Sequence, residues 1–437
     1  MNIMLAAAVL ALNLVCVRMA SADEGRWAQA MAAAAGAAAL PGSFDGIRIP
    51  GGAAPMLPLP RLPVFRAAPP AGTVPTEVAF NGITLPRSAF TSRESLSGHL
   101  VRAIDAAKGS LKLLLYDLSL EDVAAALQRA ASRSPSVEIM VVLDQGHVFP
   151  RRGRKANAVI TRLLADPRIQ ARIVAGLGDF GLMHNKIAVF DGVLVKTGSF
   201  NWTKSAEKSN YENAVFFDDA ERVAAFSAYF DWVWALSGPP DAPRPPPTVE
   251  GAPPEDASPG VEFHGARLPA AAFSPKGGTA GRLLDAIAIS RESIDVAMFS
   301  FTSKTLAEAL AERKAAGVRV RVVLDRKQSR NANSVLAYLR SRGVDVAVMD
   351  GKTKAGVQHS KYAVFDGAVV ETGSYNWTVN GESYSFENAA FLSDPGCVAG
   401  FQADFETLWS LGRKELPASL AASDGPQEDP SEGAGTD

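Results

Sequence analysis

The sequence predicts a tandem pair of α/β domains, each a mostly parallel β-sheet flanked by helices. Three observations carry this reading. First, HNKIAVFDGVLVKTGSFNWT, from His184 to Thr203, returns as HSKYAVFDGAVVETGSYNWT, from His359 to Thr378, with fourteen of twenty positions identical. Second, each copy follows apolar runs with helical sequence between them: LKLLLYDLSL from Leu111 and IDVAMFSFTS from Ile294, then runs ending Val142-Leu143-Asp144 and Val323-Leu324-Asp325. Strands alternating with helices at this spacing favour a parallel sheet with helices on its faces. Third, the 437-residue chain is 47% hydrophobic, enough to fill two large cores.

Taken in order, residues 1–22 read as a signal peptide. Ile3 to Val17 is apolar but too short to span a bilayer, and Ala20-Ser21-Ala22 offers a small-x-small cleavage site. The expected location is therefore secreted or periplasmic, and no later segment reads as a transmembrane helix. Residues 23–77 are an Ala/Pro/Gly-rich linker. The first domain spans 78–236 and the second 261–412, opening alike on Phe80-Asn81-Gly82 and Phe263-His264-Gly265. Between them, SGPPDAPRPPPTVEGAPPEDASPG (237–260) is a Pro-rich linker that continues neither a helix nor a strand ladder. Residues 413–437 form an acidic, Gly- and Ser-rich tail of disordered composition.

Each domain closes on a helix. Val223, Phe226, Phe230 and Val233 fall at i, i+3, i+7 and i+10, one apolar face against the sheet. Val398, Phe401, Phe405 and Leu408 repeat them 175 residues later, the same offset that takes His184 to His359. A period this long marks a duplicated domain rather than a solenoid.

Net charge is −2, so the chain carries no global nucleic-acid footprint. The one basic cluster, Arg151, Arg152, Arg154 and Lys155, sits in a loop longer in the first domain. It reads as a solvated loop, with a phosphate-steering lip as the sharper alternative. The two cysteines, Cys16 and Cys397, lack the spacing of a zinc site, and with Cys16 in the leader no internal disulfide is expected.

The repeated motif carries the chemistry. His184 and Lys186, two apart in a strand, share one face. Asp191-Gly192 is a two-residue hairpin signal. With residue 190 opposite 193, His184 would oppose Ser199, with Asn201 further along the same face. The second copy gives His359, Lys361, Ser374 and Asn376 by the same count. Such a patch suits a phosphate: Lys supplies charge, Ser and Asn supply directed donors, and His supplies a nucleophile or a proton. One His cannot be both at the same moment. Two copies facing across a pseudo-twofold axis supply both.

Asp191 and Asp366 sit at the turns, about 16 Å along the strand from the lysines, and are expected to shape the turn through local ion pairs. Glu212 and Glu387, in YENAVFF and FENAAFL, lie in apolar runs where a carboxylate needs a partner. Bonding the far nitrogen of a motif His would fix its tautomer. His99, His147 and His264 are read as surface or structural, and Trp202 and Trp377 as packing beneath the motif.

HxK, four residues, Asp, six residues and Gly-Ser-x-Asn resembles the HKD motif of the phospholipase D superfamily. Both copies are complete, and both domains follow the family order. The second, with RVRVVLD, HSKYAVFDG and TGSYNWT, is most similar to the nuclease and cardiolipin-hydrolase branch. The resemblance implies a phosphohistidine mechanism without metal or cofactor, with His184 attacking and His359 as the acid. Members with one motif dimerise, so this chain is expected to be a monomer with an internal pseudo-dimer. The family includes lipases, nucleases and transferases, so the motif does not fix the substrate; the first reading is hydrolysis of phospholipid head groups, with peripheral contact to a membrane surface. The alternatives are an exported non-specific nuclease acting on DNA or RNA, a phosphatidyl transferase, and a non-catalytic lipid- or nucleic-acid-binding scaffold.

Overall fold

Apolar strands build two seven-stranded sheets in the computed structural model, which describes residues 76–150 and 155–413 of the chain. In the first half, β1 (Glu77–Phe80) and β2 (Ile83–Pro86) form a small ribbon. The main sheet uses β3 (Ser88–Phe90), β4 (Ser110–Leu115), β5 (Glu138–Asp144), β6 (Ile169–Val174), β7 (Lys186–Phe190), β8 (Leu194–Thr197) and β9 (Asn213–Phe217). The second half repeats this with the ribbon β10 (Val261–Phe263) and β11 (Ala266–Leu268), then β12 (Ala271–Ser274), β13 (Ser293–Met298), β14 (Arg319–Asp325), β15 (Asp345–Met349), β16 (Lys361–Phe365), β17 (Val369–Gly373) and β18 (Glu387–Leu392). The strand orders match: β3-β9-β8-β7-β4-β5-β6 and β12-β18-β17-β16-β13-β14-β15.

The tandem α/β class holds, with one refinement. Helical crossovers make β4, β5 and β6 parallel, as they do β13, β14 and β15. A tight turn joins β7 to β8 and makes that pair antiparallel, and β9 and β3 continue the antiparallel wing.

The hairpin register differs by one residue from the sequence expectation. Asp191 (φ 52) and Gly192 (φ 67) do form the left-handed turn, closed by Val193 N–H to the Phe190 carbonyl at 3.0 Å. Val193 then bulges out, and Phe190 pairs with Leu194 rather than with Val193. Asp366, Gly367 and Ala368 do the same, pairing Phe365 with Val369. A one-residue shift exchanges the faces of the strand, so a straight count from the turn no longer sets Ser199 opposite His184.

Three cores hold the molecule. One lies on the outer face of the first sheet, beneath helices Leu96–Ala106 and Glu121–Ser132, and another on the outer face of the second. The third is shared between the halves. It holds the closing helices Ala220–Leu236 and Pro395–Leu411, each capped by an aspartate 175 residues from the other, Asp219 and Asp394. Val223, Phe226, Phe230, Val233 and their second-half counterparts are all buried there. Tyr229 stacks on Phe273 at 4.1 Å and Phe401 meets Phe90 edge-on at 5.0 Å, so each closing helix packs on the opposite half. The 237–260 spacer has no helix or strand, but it is fastened down. Arg244 N–H donates to Gln145 Oε1 at 2.7 Å, and Lys276 Nζ donates to the Val249 carbonyl at 2.6 Å.

Asp191 and Asp366 are fold residues, as expected, but act mainly through hydrogen bonds. Asp191 accepts the backbone N–H groups of Lys108, Gly109 and Ser110 and the Asn81 amide. Asp366 accepts those of Arg291, Glu292 and Ser293 and pairs with His264 at 2.6 Å. Burial opposes ionisation of each carboxyl, but these donors win and hold both below the usual range. Asp191→Ala strands three backbone donors and is expected to lower stability by about 2–4 kcal/mol in denaturant titration. The aspartate's contribution is present above its unfolded pKa and fades as pH falls through the folded one, so wild type and variant should converge in acid.

The leader 1–22, most of the 23–77 linker, Arg151, Arg152 and Arg154, and all but the first residue of the 413–437 tail lie outside the described residues.

Candidate active site

Both motif histidines are buried, and each is held by the other half of the chain. The residues just before each motif run beside the residues just before each glutamate. His184 N–H donates to the Phe386 carbonyl at 3.0 Å and Phe386 N–H to the Leu182 carbonyl at 2.8 Å. The mirror pair is His359 N–H to Tyr211 at 3.0 Å and Tyr211 N–H to Val357 at 3.1 Å. These short parallel bridges carry Glu387 to His184 and Glu212 to His359.

Nδ1 of His184 lies 2.9 Å from both oxygens of Glu387, and Nδ1 of His359 lies 2.9 Å from Glu212. A carboxylate only accepts, so Nδ1 carries the proton and Nε2 is the nitrogen left for chemistry. Burial works against the Glu212 anion, but His359, Lys361 and Ser199 more than offset it and keep its carboxyl below the ordinary range.

The lysines lie beneath the histidines. Lys186 Nζ donates to the His184 carbonyl at 2.7 Å and lies 4.9 Å from the Tyr116 ring. Lys361 Nζ donates to the His359 carbonyl at 2.9 Å and lies 4.8 Å from the Phe299 ring. The same rings pack on the histidines, at 4.8 Å for Tyr116–His184 and 4.6 Å for Phe299–His359.

The serines correct the sequence reading. Ser199 and Ser374 are fully buried. Ser199 Oγ donates to Glu212 at 2.7 Å and accepts Asn213 N–H at 2.9 Å. Ser374 Oγ accepts the backbone N–H and the side-chain amide of Asn388, both at 3.1 Å. With the strand register shifted, these hydroxyls point to the carboxylate-bearing strand, not to an open phosphate-facing patch. Asn376 instead lines an open cleft of about 200 Å³ with His184, Glu387 and Ser300. That cleft reaches Phe299, beside His359. Asn201 is the half-buried equivalent in the first half.

Three supporting groups escaped the sequence reading. Asp144 accepts Met183 N–H at 2.9 Å and Asp325 accepts Gln358 N–H at 3.0 Å, which pins the residue before each histidine. Tyr116 and Phe299 directly follow the equivalent strands β4 and β13. His147, read as structural, meets the Tyr116 ring edge-on at 4.3 Å and so stands behind a residue that packs on His184. The available signal was the repeated strand ends, Leu-Leu-Tyr against Ala-Met-Phe and Val-Leu-Asp in both copies. Trp202 and Trp377 are fully buried beneath the motif, as expected.

One pair of equivalent positions breaks the symmetry. Lys196 and Glu371, 175 apart, are both fully buried. Burial lowers the Lys196 ammonium to about 7, with Glu212 pulling it back up and Lys186 pushing it further down. Burial raises the Glu371 carboxyl to about 8, slightly opposed by the Trp377 indole. The folded chain therefore holds a proton on Glu371 that the unfolded chain releases, and stability falls as pH rises from about 4.5 to 8. Glu371→Gln is expected to flatten that slope and to raise stability at pH 8, where the wild-type carboxyl begins to ionise in its buried site. Thermal melts from pH 5 to 9 check it.

A family model described as "Cardiolipin synthase, PLD-like domain" matches residues 100–234 and 283–409, more than half of the chain and one segment in each half. The chain belongs to the phospholipase D superfamily. It is 38% identical over 128 residues to the mitochondrial cardiolipin hydrolase of Xenopus tropicalis, covering 29% of this chain and 60% of that protein. It is 34% identical over 130 residues to the mitochondrial cardiolipin hydrolase of Chlamydomonas reinhardtii, covering 30% and 57%. The alignments thus span a little over half the length of these curated relatives. Phosphatidylserine synthase of Haemophilus influenzae shares the fold, with a TM-score of 0.55 at 12% identity, over 75% of this chain and 87% of that one. The expected secreted or periplasmic location is corrected here. The relatives are named as mitochondrial, which points away from export.

Proposed function

We propose that this phospholipase D superfamily phosphodiesterase hydrolyses phospholipid head groups through a phosphohistidine. The observation that carries the reading is the crossed arrangement, in which Glu387 of one half holds His184 of the other and Glu212 holds His359. Nε2 of His184 attacks phosphorus as the bond to the head-group oxygen breaks, and His359 gives its proton to that oxygen. Water then attacks the phosphorus, His359 takes the water's proton, and the phosphorus–nitrogen bond breaks. The glutamates stabilise whichever imidazolium forms. Lys186 and Lys361 provide positive charge near the phosphate, and Asn201 and Asn376 provide amide donors. Ser199 and Ser374 act through the strand that holds the glutamates.

Two facts support a lipid substrate. The relatives named above are cardiolipin hydrolases. Among the described residues, the cleft beside His184 is lined mainly by amides, hydroxyls and apolar groups, with no Lys or Arg. The test offers the purified protein phosphatidylcholine, phosphatidylglycerol, cardiolipin and single- and double-stranded DNA, each with and without EDTA. Lipid turnover that persists in EDTA is expected. DNA cleavage without lipid turnover would move the substrate to nucleic acid, and loss on chelation restored by a divalent ion would overturn the metal-free mechanism. A phosphatidyl-alcohol product in added alcohol, in place of hydrolysis, would make the chain a transferase.

A further inference from the structure

Among the described residues six large hydrophobic side chains are exposed, and three of them gather at one edge of the cleft: Phe180 (77%), Val379 (64%) and Tyr384 (46%). They come from both halves and are tied together. Asn380 Nδ2 donates to the Phe180 carbonyl at 3.0 Å, and Leu177 N–H donates to the Tyr384 carbonyl at 2.7 Å. The Tyr384 ring lies against Gly178, where an added Cβ would stand 3.7 Å from it. Val379, Asn380 and Ser385 also line the cleft that holds His184. The apolar edge and the reacting imidazole therefore share one continuous surface.

We propose that this edge is the docking surface for a phospholipid bilayer, with Phe180, Val379 and Tyr384 entering the interfacial layer while the phosphodiester of one lipid reaches His184. The inference rests on the phospholipid reading and adds how the substrate is presented. Chemistry selects the occupant, which must carry an apolar layer and a phosphodiester side by side. A bilayer does, and Phe and Tyr suit its boundary because their rings bury while the Tyr hydroxyl stays wet. A nucleic acid is a continuous polyanion that calls for a track of Lys and Arg, and none lies among the described residues that line the cleft. Three side chains make a reversible contact, not an anchor.

The test uses the full chain and the Phe180→Ser/Tyr384→Ser double variant, whose exposed side chains stand outside the His–Glu machinery. Each is sedimented with large unilamellar vesicles of phosphatidylcholine and cardiolipin. Each is also assayed on those vesicles and on a short-chain phospholipid kept below its micelle concentration. Vesicle partitioning and vesicle turnover should fall about tenfold in the variant, with monomer turnover held within about twofold. Equal partitioning of both proteins overturns the docking surface, as does a matching loss on the monomeric lipid, which would mark damage to the site itself. Vesicle binding that the variant loses, with no lipid turnover by either protein, would remove the hydrolysis reading and leave the docking surface standing. DNA binding that the variant loses, with vesicle binding unchanged, would reassign the edge to nucleic-acid bases.

Discussion

Replacing His184 or His359 with alanine is expected to cut phosphodiester turnover by at least roughly 10²–10⁴-fold, the range for a missing general acid or base. The two variants should differ in kind. With His184 as nucleophile, His359→Ala still forms a phosphoryl adduct on His184, slowly, and most visibly with a leaving group such as p-nitrophenol that needs little protonation. His184→Ala forms none with any leaving group. Quenching without acid and mapping the phosphorylated histidine by mass spectrometry reads the answer. An adduct on His359 would reverse the roles and keep the reaction class. Wild-type turnover by either variant would remove the shared site altogether.

Glu212→Gln and Glu387→Gln should each cost about 10²-fold or more in kcat, because glutamine can still accept from Nδ1–H but no longer stabilises an imidazolium. The informative feature is the crossing. Glu212→Gln should perturb the ring of His359 and leave that of His184 largely alone, and Glu387→Gln should do the reverse, because each carboxylate touches only the histidine of the other half. Imidazole ring NMR shifts at one fixed pH, assigned with the alanine variants, measure it. A change in the histidine of the same half would contradict the 2.9 Å contacts described above. The lysine pair adds no such asymmetry, since Lys186 and Lys361 each bond the carbonyl of their own motif histidine.

Much of this was legible in the chain. The repeat at an offset of 175, the strand and helix order, the buried face of each closing helix and the His, Lys, Asn and Glu that gather at the site all follow from residue type and period. So did the turn role of Asp191, because Asp-Gly between two apolar runs has few other uses. The bulge at Val193 did not. An extra residue after a left-handed turn leaves no mark in an apolar, both-faces-buried strand, where alternation is absent and register is weakly written. The serine role was lost with it. His147 was missed because its value lies in an edge-on contact with the Tyr116 ring, 31 positions away in the chain.

By itself, the sequence determined that the chain carries two equivalent halves and one set of reacting groups in each. Only the tertiary structure decided which glutamate serves which histidine. In a duplicated chain, pairing within a half and pairing across halves use the same residues, so no pattern separates them. The choice falls to the shared core, where the closing helices pack between the two sheets and the residue before each glutamate bridges to the residue before the other half's motif histidine. The same packing buries Lys196 and Glu371 at equivalent places. That turns two surface-type residues into groups whose ionisation is coupled to folding, because burial penalises the charged form of each.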